Sequence, residues 1–255
     1  MRELLPALVA TLLPALQGED TVADFRKFWP TLKDTASRAE AVRDLEGIQS
    51  AEVLEATLPI LVDRGTESEV RDAIVKVYGK LEAKECLDRL STIAVEKNKS
   101  KEPFAKSPLA REASIRALGL GRRAGGIAAI LAASLDPQEE VRIASAEALG
   151  KIGSSEGVPA LTRLAADKES GVRRAVADAL GAIADPAGSP AAVRLLEDRE
   201  WPVRAAAIAA VARLRTREAI PILIEKLKGE EGRLVDDAAR SLKSLTVTDF
   251  GADYN

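Results

Sequence analysis

The sequence predicts an all-α fold, a right-handed α-solenoid of stacked antiparallel helix pairs. One pattern occurs three times between residues 136 and 229, at a constant period of 31 residues. Four of its columns keep one residue type: Asp136, Asp167 and Asp198; Val141, Val172 and Val203; Arg142, Arg173 and Arg204; and Pro159, Pro190 and Pro221. A constant period over several columns is typical of stacked copies of one supersecondary unit.

Each copy predicts two helices joined by a short turn. In the first copy Val141, Ala148 and Ile152 recur at helical spacing and form one apolar stripe. Gly153 ends that helix, and Pro159 opens the second one in its first turn, where a missing N–H costs nothing. A helix pair that is apolar on one face cannot close a core alone, so the copies must stack.

The Asp and Arg columns predict a structural ladder. Each Asp precedes its Arg by six residues, across the turn that leads into the first helix. An Asp at such a turn can accept backbone N–H bonds and pair with the guanidinium of its own or the adjacent unit. The ladder residues are Asp136, Arg142, Asp167, Arg173, Asp198 and Arg204. Three copies in register indicate a structural role, and no catalytic role is assigned to them.

The pattern D-x-x-x-x-V-R-x-A-x-A-x-A-L-G-x-I, followed by a helix that opens with I/V-P-x-L, resembles HEAT repeats. It is most similar to the short bacterial type that also occurs in phycobilin lyases. In that family an Asp and an Arg six residues apart form a ladder along the solenoid, and the three pairs here occupy matching positions. The resemblance extends over about residues 108–245. It implies a fold and a mode of binding, and it does not imply lyase activity.

Four segments follow from the period and the composition: residues 1–18, 19–107, 108–245 and 246–255. The first is a possible signal peptide, because residues 4–17 carry no charge in a chain that is 30% charged. The alternative is a first helix packed on the repeats. Export to the periplasm or medium is therefore slightly favoured over a cytoplasmic location. The run is too short for a transmembrane span.

Residues 19–107 predict divergent repeats and an N-terminal cap. Helices are expected over residues 31–46, 51–62, 67–80 and 82–95, and a last one over 234–245 ahead of the polar tail. Phe25, Phe28 and Trp29 are three of the eight aromatic residues. A hydrophobic cap that closes the open end of the stack explains them best, and a partner-binding patch is the alternative.

An insertion interrupts the period before residue 108. Val70 and Ala110 are 40 residues apart, nine more than one unit. The added segment is polar and predicts a surface loop. Its candidate recognition residues are Lys97, Lys99, Lys101 and Phe104. Insertions into repeat arrays often carry recognition, although long loops are also tolerated without any role.

Charge and composition exclude several classes of function. There are 37 basic and 40 acidic residues, a near balance that argues against binding to nucleic acid. The chain has no histidine and one cysteine, which removes the commonest general base and the usual transition-metal ligands. We therefore expect no enzyme, no cofactor and no metal site.

The predicted function is binding of a protein or peptide through the concave face that the second helices form. Arg163, Arg194 and Glu225 share one column of those helices and are the candidate contact residues. The alternative is a structural or accessory subunit of a larger assembly or of a cofactor-modifying enzyme. The sequence indicates neither the partner's identity nor an oligomeric state. Trp201 is expected to lie along the adjacent helix pair.

Overall fold

The computed structural model describes residues 20–95, 106–229 and 233–246, and over these ranges it contains fourteen α-helices and no strand. The helices are α1 Asp20–Phe28, α2 Thr35–Arg43, α3 Ala51–Val62, α4 Ser68–Gly79, α5 Lys84–Val95, α6 Pro108–Leu120, α7 Ile127–Ala133, α8 Glu139–Ile152, α9 Val158–Leu164, α10 Ser170–Ile183, α11 Ser189–Leu195, α12 Trp201–Arg213, α13 Ile220–Gly229 and α14 Arg233–Thr246. The all-α repeat fold predicted from the sequence is thus confirmed. The possible signal peptide lies outside the described residues, as does nearly all of the polar tail.

Along the sequence, the chain divides into two compact units after Ala129. In the first unit α2, α4 and α6 pack side by side, and α1, α3 and α5 form a second layer against them. In the second unit the layer of first helices is α8, α10, α12 and α14, and the second helices α9, α11 and α13 pack on it. The segment boundary that the period predicts at residue 108 stays a prediction.

Two glycines allow the first helices of the second unit to approach closely. A Cβ atom on Gly150 of α8 would lie 2.9 Å from the Cα atom of Ala179 in α10. One on Gly181 would lie 3.0 Å from the Cα atom of Ala210 in α12. Neither glycine ends its helix. Each is required because no side chain fits between the two backbones.

The first helices of four consecutive repeats are followed by a residue in the left-handed conformation. These residues stand 31 apart: Arg122, Gly153, Ala184 and Arg215, with φ of 50°, 76°, 54° and 55°. Gly153 and Ala184 each donate their backbone N–H to a carbonyl four residues earlier, at 3.0 and 2.9 Å. This conformation suits glycine, yet only one of the four positions has it. The sequence therefore predicts the turn only at Gly153.

At the N-terminal end the structure shortens one predicted helix. The helix expected over residues 31–46 begins only at Thr35, because Trp29–Thr31 forms a 3₁₀ turn that contains Pro30 and Asp34 caps α2. The Asp34 carboxylate accepts a hydrogen bond from the backbone N–H of Ser37 at 2.8 Å. A capped start fixes the entry of the chain into the helix.

The aromatic residues near the N terminus pack within the first unit. Phe25 is buried, and its ring centroid lies 5.3 Å from that of Trp29. The guanidinium of Arg38 lies 5.7 Å above the Trp29 ring. Whether these aromatic residues serve as a terminal cap or as a partner-binding patch stays a prediction. None of the helices in the described part of the chain is long and apolar enough to cross a bilayer.

Candidate functional site

Two rungs of the Asp–Arg ladder lie in the second unit, and each joins one repeat to the next. Arg142 donates from Nε and Nη2 to the two carboxylate oxygens of Asp167, at 2.7 and 2.9 Å. Arg173 does the same to Asp198, at 2.6 and 2.8 Å. The side chains of the first rung are only 9% and 10% exposed. A bidentate pair that is shielded from water is far more rigid than a surface ion pair.

Each arginine also binds the turn of its own repeat, through backbone oxygens. Nη1 of Arg142 donates to the carbonyl oxygens of Asp136 and Pro137, at 2.9 and 3.0 Å. The carboxylate of Asp167 accepts a further bond from the backbone N–H of Glu169 at 3.0 Å. The sequence leaves open whether the guanidinium pairs within its unit or with the next one. In the structure the Arg142 guanidinium does both: it donates to carbonyl oxygens of its own unit and to the carboxylate of the next unit.

The ladder perturbs the protonation of its members. Burial acts to raise the pKa of Asp167, but the hydrogen bonds from Arg142 and from the Glu169 N–H outweigh it and hold that pKa below its usual range. The hydrogen bond from Arg173 likewise lowers the pKa of Asp198 against the effect of burial. Both carboxylates are therefore ionised at neutral pH, as a structural pair requires.

Sequence reasoning missed three residues of this arrangement, Arg38, Glu67 and Arg111. In the first unit, Arg38 donates to the Leu32 carbonyl at 3.0 Å and to a carboxylate oxygen of Glu67 at 3.3 Å. Arg111 is buried and donates to the carbonyl of Lys106, five residues earlier, as Arg142 does in its own turn. Arg111 stands 31 residues before Arg142, so the period could have revealed it. Glu67 could not be found that way, because it replaces Asp and departs from the period.

Three successive second helices present the same three positions at the surface, and we call these positions the second-helix face. They are Pro159, Thr162 and Arg163 on α9; Pro190, Val193 and Arg194 on α11; and Pro221, Ile224 and Glu225 on α13. The structure thus brings the candidate residues Arg163, Arg194 and Glu225 into one exposed column. Arg163 also donates from Nη2 to the Ser134 hydroxyl oxygen at 3.0 Å.

A pocket of about 740 Å³ lies beside α11, next to the turn that precedes α13. Pro190, Val193 and Leu214 contribute its apolar lining. Its charged residues are Arg194, Arg215 and Glu218. The sequence points to Arg194 through its column, but nothing in the sequence places Arg215 near it.

A second groove, which we call the first-helix groove, is lined by the first helices α10, α12 and α14, with Arg240 contributed by α14. Trp201, Ala205 and Ala209 line it, with Arg174 and Asp178 on one side. Trp201 is 60% exposed, so its packing along the neighbouring helix pair stays a prediction. Trp201 is the first residue of α12 and precedes the buried stripe that starts at Val203, so its side chain is left at the surface.

The candidate residues of the insertion, Lys97, Lys99, Lys101 and Phe104, lie outside the described residues. Cys86 is buried, and this burial raises the pKa of its thiol. Within the described ranges no group of three or more His, Cys, Asp or Glu side chains is arranged to hold a metal ion.

Stacked helix pairs joined by a ladder of charged residues define a helical-repeat protein. The family model described as HEAT repeats matches residues 105–177 and 167–243, which together make up more than half of the chain. The chain therefore belongs to the HEAT repeat family. No curated protein matches the sequence.

Solved structures show the same fold at low sequence identity. YibA from Escherichia coli is 19% identical, with 93% of this chain and 84% of that chain covered and a TM-score of 0.60. A designed armadillo repeat protein, in complex with a (KR)4 peptide, is 16% identical, with 74% of this chain and 98% of that chain covered and a TM-score of 0.50. The CpcE–CpcF phycocyanin lyase complex of a Nostoc species is 16% identical over 90% of this chain and 95% of that chain, at a TM-score of 0.42. At that TM-score the lyase has no bearing on function here.

Proposed function

We propose that this HEAT repeat protein is a non-catalytic scaffold that binds a protein or peptide through the second-helix face of its second unit. One observation carries the proposal. The second helices of three consecutive repeats place a proline, then a Thr, Val or Ile, and then an Arg or Glu at equivalent surface positions. The result is a row of prolines, a mostly aliphatic row and a charged row, each of which runs across all three helices.

Such rows suit an extended partner chain. Packed helices lie about 8–10 Å apart, and an extended peptide advances about 3.3 Å per residue, so roughly every third peptide residue meets the next helix. A rigid surface also reduces the ordering cost of binding. The designed armadillo protein, which shares the architecture, holds a peptide in its structure. That complex supports the mode of binding, although its peptide is basic.

The non-catalytic part of the proposal rests on the available side chains. The sequence has no histidine, and its one thiol, Cys86, is buried with a raised pKa. A raised pKa keeps the thiol protonated and unreactive at neutral pH. The charged residues that the repeats hold in fixed geometry are the ladder pairs, and those pairs are taken up by structural bonds.

The test compares two variants that change the net charge equally. One reverses the second-helix face with Arg163→Glu, Arg194→Glu and Glu225→Arg, and the control reverses the first-helix groove with Arg174→Glu, Asp178→Arg and Arg240→Glu. Proteins recovered with each form from the source cells are quantified by mass spectrometry. We expect the partner to be lost with the first variant and kept with the control.

Equal recovery of the partner with the wild type and with both variants would show that the second-helix face does not bind it. A stable assembly that survives size-exclusion chromatography with either variant would instead favour the alternative, a structural or accessory subunit.

A further inference from the structure

The pocket beside α11 holds two arginines whose guanidinium groups are not engaged. Of the residues that the structure describes, none accepts a hydrogen bond or forms an ion pair with the side chain of Arg194 or Arg215. By contrast, Arg142 and Arg173 are bound on both sides by the ladder. The pocket has one acidic residue, Glu218, so its lining carries a net charge of +1, two arginines less one glutamate. An arginine pair in an apolar recess favours a carboxylate.

Arg215 occupies a position where the backbone itself does not favour an arginine. Its φ is 55°, in the left-handed region, and the three repeats before it have Ala184, Gly153 and Arg122 at the equivalent positions. One repeat earlier, the positions equivalent to Arg194 and Arg215 are occupied by Arg163 and Ala184. Among the repeats of the second unit, only the one at this pocket therefore has arginine at both positions.

The surroundings suit a glutamate on an extended chain. Pro190 and Val193 belong to the second-helix face, so a peptide bound there passes the pocket. Leu214 is buried and gives the recess an apolar wall, against which the aliphatic part of a glutamate side chain can pack. The hydroxyls of Ser189 and Thr216, which also line the pocket, bond each other at 2.8 Å, and the arginines are its charged donors.

We propose that this pocket is a subsite for an acidic residue, in which Arg194 and Arg215 donate to the carboxylate of a glutamate side chain in the bound peptide. Pro190, Val193 and Leu214 contact the aliphatic part of the peptide on either side of that glutamate. The proposal rests on the proposed function, because it specifies a residue of the partner that the second-helix face binds. It also separates this chain from a repeat surface that takes a basic peptide.

The experiment measures peptide binding to the full chain by fluorescence anisotropy. The probe is an octapeptide of four Val-Glu repeats, with a dye at the N terminus and an amidated C terminus, so that its only carboxylates are glutamate side chains. The comparison peptides are four Val-Gln repeats and four Lys-Arg repeats with the same dye. We expect the acidic peptide to bind, and the two other peptides to bind at least about tenfold more weakly. The reason is that neither of them can form the charge-assisted hydrogen bonds to the arginines.

Variants then assign the binding to the pocket. Arg215→Ala and Arg194→Ala should each weaken acidic-peptide binding about tenfold, whereas Arg174→Ala, which removes one positive charge from the first-helix groove, should change it by less than about twofold. Ala184 shows that alanine adopts the turn, and Gly153 supports Arg215→Gly as a second form should the first fail to fold. Circular dichroism checks the folding of each form.

Three results would overturn the subsite: no binding of the acidic peptide to the folded chain at about 1 mM, equal binding of the glutamine peptide, or no response to Arg215→Ala. The subsite alone fails if the charge-reversed face loses its cellular partner while Arg215→Ala leaves peptide binding unchanged. The proposed role of the second-helix face alone is refuted if acidic-peptide binding depends on Arg215 while recovery of the cellular partner is unchanged by the charge reversal. The two proposals therefore have separate outcomes.

Discussion

Arg142 and Asp167 are 25 residues apart, and the guanidinium of the first meets both carboxylate oxygens of the second at 2.7 and 2.9 Å. The pair joins α8 of one repeat to the turn between α9 and α10 of the next. Because Arg142 also donates to two carbonyls of its own turn, one side chain fixes the position of two repeats relative to each other.

Removing the carboxylate should destabilise the second unit strongly. Asp167→Ala leaves the guanidinium of Arg142, which is 9% exposed, without its counterion. Breaking a buried pair from one side costs about 3–5 kcal/mol, so we expect the free energy of unfolding to fall by roughly that amount. Urea denaturation followed by circular dichroism measures it.

The matched control removes an exposed ion pair. Arg174 and Asp178 lie 4.0 Å apart on α10, with side chains 62% and 60% exposed. Arg174→Ala should change the free energy of unfolding by less than about 1 kcal/mol. If both variants lose the same stability, the ladder does not join the repeats as we describe.

The ladder also predicts how stability depends on pH. The pKa values of Asp167 and Asp198 are lowered in the folded state, whereas an aspartate in the unfolded chain has a pKa of about 3.9. The unfolded chain therefore takes up these protons first as the pH falls. Their stabilisation is complete above about pH 5 and is lost as the pH drops through the lower folded values.

We expect the wild type to lose stability between about pH 5 and pH 3 more steeply than the double variant Asp167→Asn, Asp198→Asn. Denaturation midpoints taken along this range provide the measurement, and the difference between the two proteins cancels the contribution of all other carboxylates. Parallel curves would show that the two aspartates are not coupled to folding.

Gly150 should not tolerate even a methyl group. Alanine at this position would place Cβ 2.9 Å from the Cα atom of Ala179, so α8 and α10 must move apart. Overpacking costs about 1–3 kcal/mol, although helix propensity alone favours alanine by about 1 kcal/mol. We therefore expect Gly150→Ala to lower the melting temperature. Gly125→Ala, which adds a Cβ with no atom within 4 Å, is the control and should leave it nearly unchanged.

In the first unit, a buried hydroxyl pair predicts an asymmetry between two variants. The Thr57 hydroxyl donates to the Val53 carbonyl at 2.6 Å, so the Tyr78 hydroxyl must be the donor in its own 2.7 Å bond to Thr57. Tyr78→Phe removes one donor and should cost about 1 kcal/mol. Thr57→Val strands the buried Tyr78 hydroxyl and should cost up to about 3 kcal/mol. Equal losses in urea denaturation would contradict this assignment of donor and acceptor.

Export, which the sequence slightly favours, predicts a shortened N terminus. The uncharged run over residues 4–17 is typical of the apolar region of a signal peptide, so the protein purified from its source should lack about residues 1–18. Edman sequencing or intact-mass measurement of the native protein tests this. A chain that still begins at Met1 would point to the cytoplasm.

Sequence patterns recover the regular repeats well and the divergent ones less well. The period identifies Arg142 and Arg173 because identical turns recur at a fixed spacing. It misses the Arg38–Glu67 pair, because a longer acidic side chain reaches the same kind of guanidinium from a different register. It does not predict the exposure of Trp201, because a residue before the buried stripe carries no periodic information about its exposure.

The sequence by itself determined the class of this protein, since helical periodicity and a 31-residue repeat depend only on local spacing along the chain. Only the tertiary structure decided that Arg142 pairs with the next repeat's aspartate, and that Arg194 and Arg215 share one pocket. The reason is physical. Spacing fixes which face of a helix a residue occupies, but the partner it meets is chosen by how closely neighbouring helices pack, and that depends on contacts such as Gly150 against Ala179.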